Sequence, residues 1–161
     1  MRIDGTVALV TGAGRGIGRE FVRELLARGA AKVYAAGRGR GTLDELARAD
    51  PAVVPVVLDV TDAPAVAAAA RRCADVELLV NNAGVNLLQG VISAPDLGAA
   101  ELEMRTNYFG PLVASRAFAT VLAANGGGAD VYPGEMAAEL ARGLAADPKA
   151  VERELARILP A

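Results

Sequence analysis

The stretch Thr11–Gly18, "TGAGRGIG", limits what this chain can fold into more than any other. It follows a continuous apolar run, "TVALVTG" (Thr6–Gly12). It opens a segment in which Ile17, Phe21, Leu25 and Leu26 recur at helical spacing until Gly29 closes it. A strand that turns through glycines into a helix brings backbone close to an anion, whose charge rests at the helix N-terminus. Gly12, Gly14 and Gly16 supply the turn, but the usual G-x-G-x-x-G spacing is not met, because Ile17 stands in its last place. The flanking strand and helix therefore carry the expectation of a phosphate-binding turn more than the glycines do.

The same alternation continues. "KVYAAG" reads as a second strand, Leu43–Arg48 as a short helix, and "VVPVVLDV" as a third strand. Pro55 puts that strand at a sheet edge or delays its start, because proline cannot donate to a ladder. Asp62 can cap a third helix with Pro64 in its first turn and an alanine-rich body reaching Cys73. "VELLVNNAG" is a fourth strand running into a turn, and the loop Val85–Gly98 leads to a helix of about 25 residues ending near Ala124. Strands joined in this way predict an α/β fold with an open, doubly wound parallel sheet. After the glycines at 126–128, "ADVYP" reads as a short fifth strand, and Glu135–Ala146 and Pro148–Leu159 as amphipathic helices. The expected organisation is a dinucleotide-binding unit over 1–125, with the strand and helices of 126–161 packed on the same domain.

Cofactor choice turns on the end of the second strand. About 20 residues beyond the glycine turn, an acid would hold the ribose 2′-OH of NAD. Arg38 stands there instead, with Arg40 beside it, and a guanidinium suits a 2′-phosphate. Arg15 in the glycine turn adds charge to the same pocket. NADP is expected rather than NAD, and Arg40 is the arginine most readily explained as a solvated cation.

Composition removes other classes. The chain has 161 residues and is 53% hydrophobic, enough for one folded domain. A formal charge of −2 gives no basic footprint for nucleic acid. The absence of histidine excludes imidazole as base or zinc ligand, and Cys73, the sole cysteine, excludes an intramolecular disulfide. No apolar run is long enough for a membrane span, and the N-terminal run is too short and glycine-broken for a signal peptide, so a cytoplasmic protein is expected.

Four elements in order, Thr11-Gly12-x-x-x-Gly16-Ile17-Gly18, Asp59-Val60, Asn81-Asn82-Ala83-Gly84 and Asn107 in "RTNYFG", resemble the short-chain dehydrogenase/reductase family over about Gly5–Ala124. The resemblance implies a Rossmann-like doubly wound parallel sheet, here truncated to about four or five strands, that binds a nicotinamide dinucleotide. It implies that Gly12, Gly16, Ile17 and Gly18 shape the cofactor loop, that Asp59 bonds the adenine amino group, and that Val60 packs near the ring. Asn81, Ala83 and Gly84 would line the path to the nicotinamide, and Asn107 would bend its helix and hold a water of the proton relay.

The family's chemistry also needs a tyrosine with a lysine four residues on, and a serine from the preceding strand. The i, i+4 spacing shares a helix face, so the ammonium can depress a phenol pKa that is otherwise near 10. None of Tyr34, Tyr108 and Tyr132 is followed by lysine at that distance, Lys32 and Lys149 are misplaced, and Ser93 and Ser115 do not match the serine's position. The chain is read as an oxidoreductase homologue with an internal deletion joined near Gly126–Asp130, catalytically defective and retaining only Asn107 of the catalytic set. The deletion would leave the fourth strand at an edge and the face Leu112, Val113, Ala117 and Val121 less covered, unless Val131 and Tyr132 pair beside that strand. The alternative is a structural or interaction subunit forming a homo-oligomer or pairing with a full-length relative. A third reading keeps an active enzyme using Tyr108 beside Asn107.

Overall fold

The computed structural model describes residues 2–90, 92–126 and 128–131. The helices expected over 135–159, together with Tyr132 and Lys149, lie outside the described residues. Strands β1 (Val7–Thr11), β2 (Lys32–Gly37), β3 (Val53–Val57), β4 (Leu78–Val80) and β5 (Ala129–Val131) form one sheet in the order β3-β2-β1-β4-β5. All four pairings are parallel. Helices α1 (Gly16–Ala27), α2 (Arg40–Ala49) and α3 (Ala63–Arg72) connect the first four strands. Helix α4 (Gly98–Glu103), a π-helical segment (Met104–Phe109) and α5 (Gly110–Ala124) follow β4. The chain therefore has the doubly wound α/β architecture.

Alternating side chains of the strands feed two cores, as a sheet covered on both faces requires. Ala8, Val10, Val33, Ala35, Leu78 and Val80 meet Phe21, Val22 and Leu25 of α1 and Leu43 and Leu46 of α2. Leu9, Tyr34, Ala36, Val56 and Leu79 meet Val66 of α3 and Ala114, Phe118 and Leu122 of α5. Pro55 is accommodated because, among the described residues, β3 pairs only with β2, placing it on the edge. The Asp62 carboxylate caps α3 by accepting from the Ala65 N–H at 3.0 Å. Helix α2 begins at Arg40, ahead of the expected Leu43, with its Gly39 cap making no side-chain bond.

At the glycine-rich junction, Asn125 Nδ2 donates to the carbonyls of Ala74 (2.8 Å) and Val76 (3.1 Å), tying the end of α5 to the loop before β4. The chain then turns at Gly126, whose φ is +95°. It enters β5, where Ala129, Asp130 and Val131 register against Leu78, Leu79 and Val80. Strand β4 is thus internal, and among the described strands β5 takes the edge. Val113, Ala117 and Val121 pack against the second core, and only Leu112 of the expected open face is well exposed, at 42%.

Cys73 is fully buried in the second core, and burial pushes its thiol up to about 11. In native protein at pH 8 it is expected to resist a thiol-disulfide reagent for hours and to react within minutes once denatured. Rapid native labelling would show that the α3–β4 corner opens.

Candidate cofactor-binding site

A cleft of about 1260 Å³ opens at the carboxyl ends of the strands. Of the residues that the sequence nominated, its wall contains Thr11, Gly12, Gly14, Arg15, Gly16, Ile17 and Gly18 of the turn, Arg38, Asp59 and Val60, Asn81, Ala83 and Gly84, and Asn107. This is where ligands sit in open α/β sheets, at the point where strand order reverses about β1.

Two turns lock together to shape the cleft. Thr11 Oγ1 donates to the Val80 carbonyl at 3.3 Å and accepts from the Ala83 N–H at 3.0 Å. Asn82 Nδ2 donates to the carbonyls of Thr11 at 2.9 Å and Gly12 at 3.5 Å. Gly12 has φ +69°, and a Cβ there would stand 2.9 Å from Ala83 Cα and from Asn82 Nδ2. Gly16, at φ +53°, faces open space. The cap residue of α1, Arg15, makes no side-chain bond to the first turn, so the N–H groups at this helix end are left for an anion. The cradle fits the pyrophosphate of a dinucleotide.

Arg15 and Arg38 are exposed on the cleft wall, whereas Arg40 lies off it and pairs along α2 with Asp44 at 3.5 Å. Asp59 Oδ1 accepts from Thr61 N at 2.9 Å and Thr61 Oγ1 at 2.8 Å. The Thr61 N–H leads in holding this carboxyl below its ordinary range; partial burial opposes it, and the Thr61 hydroxyl and the Arg38 charge assist. Val60 is buried against the start of α5, where a Cβ on Gly110 would come within 2.9 Å of Val60 Cγ2.

At the other end of the cleft the amides are already engaged. Asn81 is buried, and its Nδ2 donates to Asp130 Oδ1 at 2.9 Å and Ser115 Oγ at 3.3 Å, toward β5 and α5. Asn107 lies within the π-helical segment, where a departure from regular helix was expected. Its Oδ1 accepts from Val85 N at 2.8 Å and its Nδ2 donates to Val85 O at 2.7 Å, so its side chain clamps the loop after β4. One turn earlier, Glu103 Oε1 accepts from Leu87 N at 2.6 Å. The sequence reading missed Glu103, Asp130 and the locking role of Asn82, and only the asparagine pair carried a visible signal.

A family profile described as short chain dehydrogenase matches residues 6–139. The chain belongs to the short-chain dehydrogenase family. It is 41% identical over 140 residues to galactitol 2-dehydrogenase (L-tagatose-forming) of Cereibacter sphaeroides, covering 84% of this chain and 54% of that protein. It is 52% identical over 85 residues to mouse L-xylulose reductase, covering 53% of this chain and 34% of the reductase. The solved structure of a short chain dehydrogenase from Burkholderia cenocepacia J2315 in complex with NADP superposes with a TM-score of 0.76 at 41% identity. That match covers 98% of this chain and 69% of the other. The chain thus spans about half or less of the length of these curated relatives.

Of the remaining candidates of this short-chain dehydrogenase, Ser115 stands behind the wall, bonded to Asn81 and Pro111 of the lining, and the others lie away from the cleft. Tyr108 is 55% exposed, packs edge-on to Phe109 at 5.2 Å, and is not in the cleft wall. Ser93 sits in an exposed loop turn, and Ser115 Oγ donates to the Pro111 carbonyl at 2.8 Å. Lys32 starts β2, the end of the sheet opposite the cleft, and binds Asp75 at 2.5 Å. Among the described residues no cluster could hold a metal ion, and no helix is long and apolar enough to cross a membrane.

Proposed function

We propose that the chain is an NADP-binding homologue of the short-chain dehydrogenases, an oxidoreductase by family that retains the dinucleotide cleft and lacks the hydride-transfer acid through an internal deletion near Gly126–Asp130. The observation that carries this is the pairing of an uncapped α1 N-terminus with Arg15 and Arg38 on one cleft wall. The helix end and glycine turn hold the pyrophosphate. Arg38, with Arg15 near it, takes the 2′-phosphate through charge-assisted bonds. The free oxygen of Asp59 accepts from the adenine amino group, and Val60 borders the ring. Asn81, Ala83 and Gly84 lead toward the nicotinamide, and Asn107 keeps the wall beyond them closed. The bound cofactor supplies hydride chemistry; these residues bind and orient it. The complex of the B. cenocepacia relative with NADP and the 45% identity over 89 residues to pig carbonyl reductase [NADPH] 2 support the choice of cofactor.

Titration of NADPH fluorescence with the purified chain tests the proposal. Arg38→Ala is expected to weaken NADPH binding roughly 10- to 100-fold and to leave NADH binding within about twofold, since one charged contact is worth about 1.5–3 kcal/mol. Equal losses for both nucleotides would remove Arg38 from the phosphate site, and no binding at millimolar NADPH would sink the proposal.

A second reading, an interaction subunit, is favoured by the exposed Met104 (51%), Tyr108 (55%), Phe109 (53%) and Leu112 (42%) around the π-helical segment. Light scattering on the same preparation tests its homo-oligomeric form, because a monodisperse monomer would leave that surface without a second copy of the chain.

A further inference from the structure

The ionisable side chains of the cleft wall divide between its two ends. Arg15, Arg38 and Asp59 stand at the glycine turn and the ends of β2 and β3. Glu103 stands alone among the described residues at the end formed by the loop after β4 and the π-helical segment. Glu103 and Asn107 share a helix face and grip alternate residues of that loop, Leu87 through its N–H and Val85 through both backbone groups. The next residue, Leu88, is held at φ +52° with its N–H bonded to Asn86 Oδ1 at 3.0 Å, a conformation that only a fixed loop sustains. No described cation forms an ion pair with Glu103; the nearby Arg105 pairs with Glu101 instead. The result is a fixed wall carrying one uncompensated carboxylate.

We infer that Glu103 is a specificity-determining residue that clamps the loop after β4 and biases the cleft toward the oxidised form of a nicotinamide dinucleotide. This rests on the proposed cofactor site. With the phosphates and adenosine held at the arginine end, the nicotinamide lies toward Glu103. The oxidised ring carries a positive charge and the reduced ring none, whereas every phosphate contact is common to both. A fixed carboxylate at this end therefore separates the two redox forms and nothing else in the ligand.

The test measures dissociation constants of NADP⁺ and NADPH by calorimetry for wild type, Glu103→Gln and Glu103→Ala. Glutamine keeps an oxygen for the Leu87 N–H and removes the charge. It is expected to weaken NADP⁺ binding about three- to tenfold and to leave NADPH within about twofold, an effect that shrinks as salt is raised. Alanine removes clamp and charge together and is expected to weaken both forms, NADP⁺ the more. An unchanged NADP⁺/NADPH ratio in Glu103→Gln would overturn the inference while leaving the cofactor site standing. Failure of the wild-type chain to bind either form would overturn both.

Discussion

Gly18→Ala is expected to destabilise the protein by about 2–3 kcal/mol and to abolish dinucleotide binding at concentrations that saturate wild type. The glycine is buried in the first turn of α1, and a Cβ there would run onto the Gly12 carbonyl oxygen and stand 2.5 Å from Asn82 Nδ2. Neither neighbour can give way. Gly12 belongs to the turn itself, and Asn82 is held by the Thr11 carbonyl at 2.9 Å. Alanine's better helix propensity returns about 1 kcal/mol, so the clash and the strained Asn82 bonds must outweigh that gain. Gly16→Ala makes the contrast: its Cβ meets open space, and only the φ of +53° resists it. That variant is expected to lose about 1–2 kcal/mol and to fail in binding because the methyl group enters the cradle. Urea unfolding checks both, and a Gly18→Ala midpoint equal to wild type would show that the two turns are not locked.

What the sequence disclosed follows from how local each signal is. Pro55 announced an edge strand and Asp62 a helix cap, because both act through their own backbone neighbourhood. The glycine turn was legible because its flanking periodicities were. Asn107 could be placed by pattern, but its two-way bond to Val85 depends on a loop many residues earlier. Glu103 and Asp130 gave no signal, since an acid on a helix or an edge strand is ordinarily a solvated charge. They acquire meaning only when folding brings Leu87 and Asn81 against them. The start of α2 was placed late for a related reason: Gly39 and Gly41 suppress the helical pattern, although the Thr42 hydroxyl bonds the Gly39 carbonyl at 2.8 Å and holds the turn.

The chain is expected to bind NADPH and leave it unoxidised in the presence of ketones, aldehydes and ketoses. Turnover should fall at least about 10²–10⁴-fold below that of a full-length relative, the usual contribution of a positioned acid. A tyrosine–lysine pair does exist in the described structure, and it shows why proximity alone is insufficient. Lys32 Nζ lies 3.4 Å from Tyr34 Oη, but at the start of β2, away from the cleft. Burial foremost, together with the hydrogen bond to Asp75, raises the Tyr34 phenol above its ordinary value; Lys32 lowers it but does not prevail. The family's lysine must win that contest to make a phenol useful near neutral pH, and here it loses. Tyr108→Phe should therefore leave any residual rate unchanged, as that ring lies outside the cleft wall. Steady NADPH consumption that disappears in Tyr108→Phe would instead show that the π-helical segment supplies an acid.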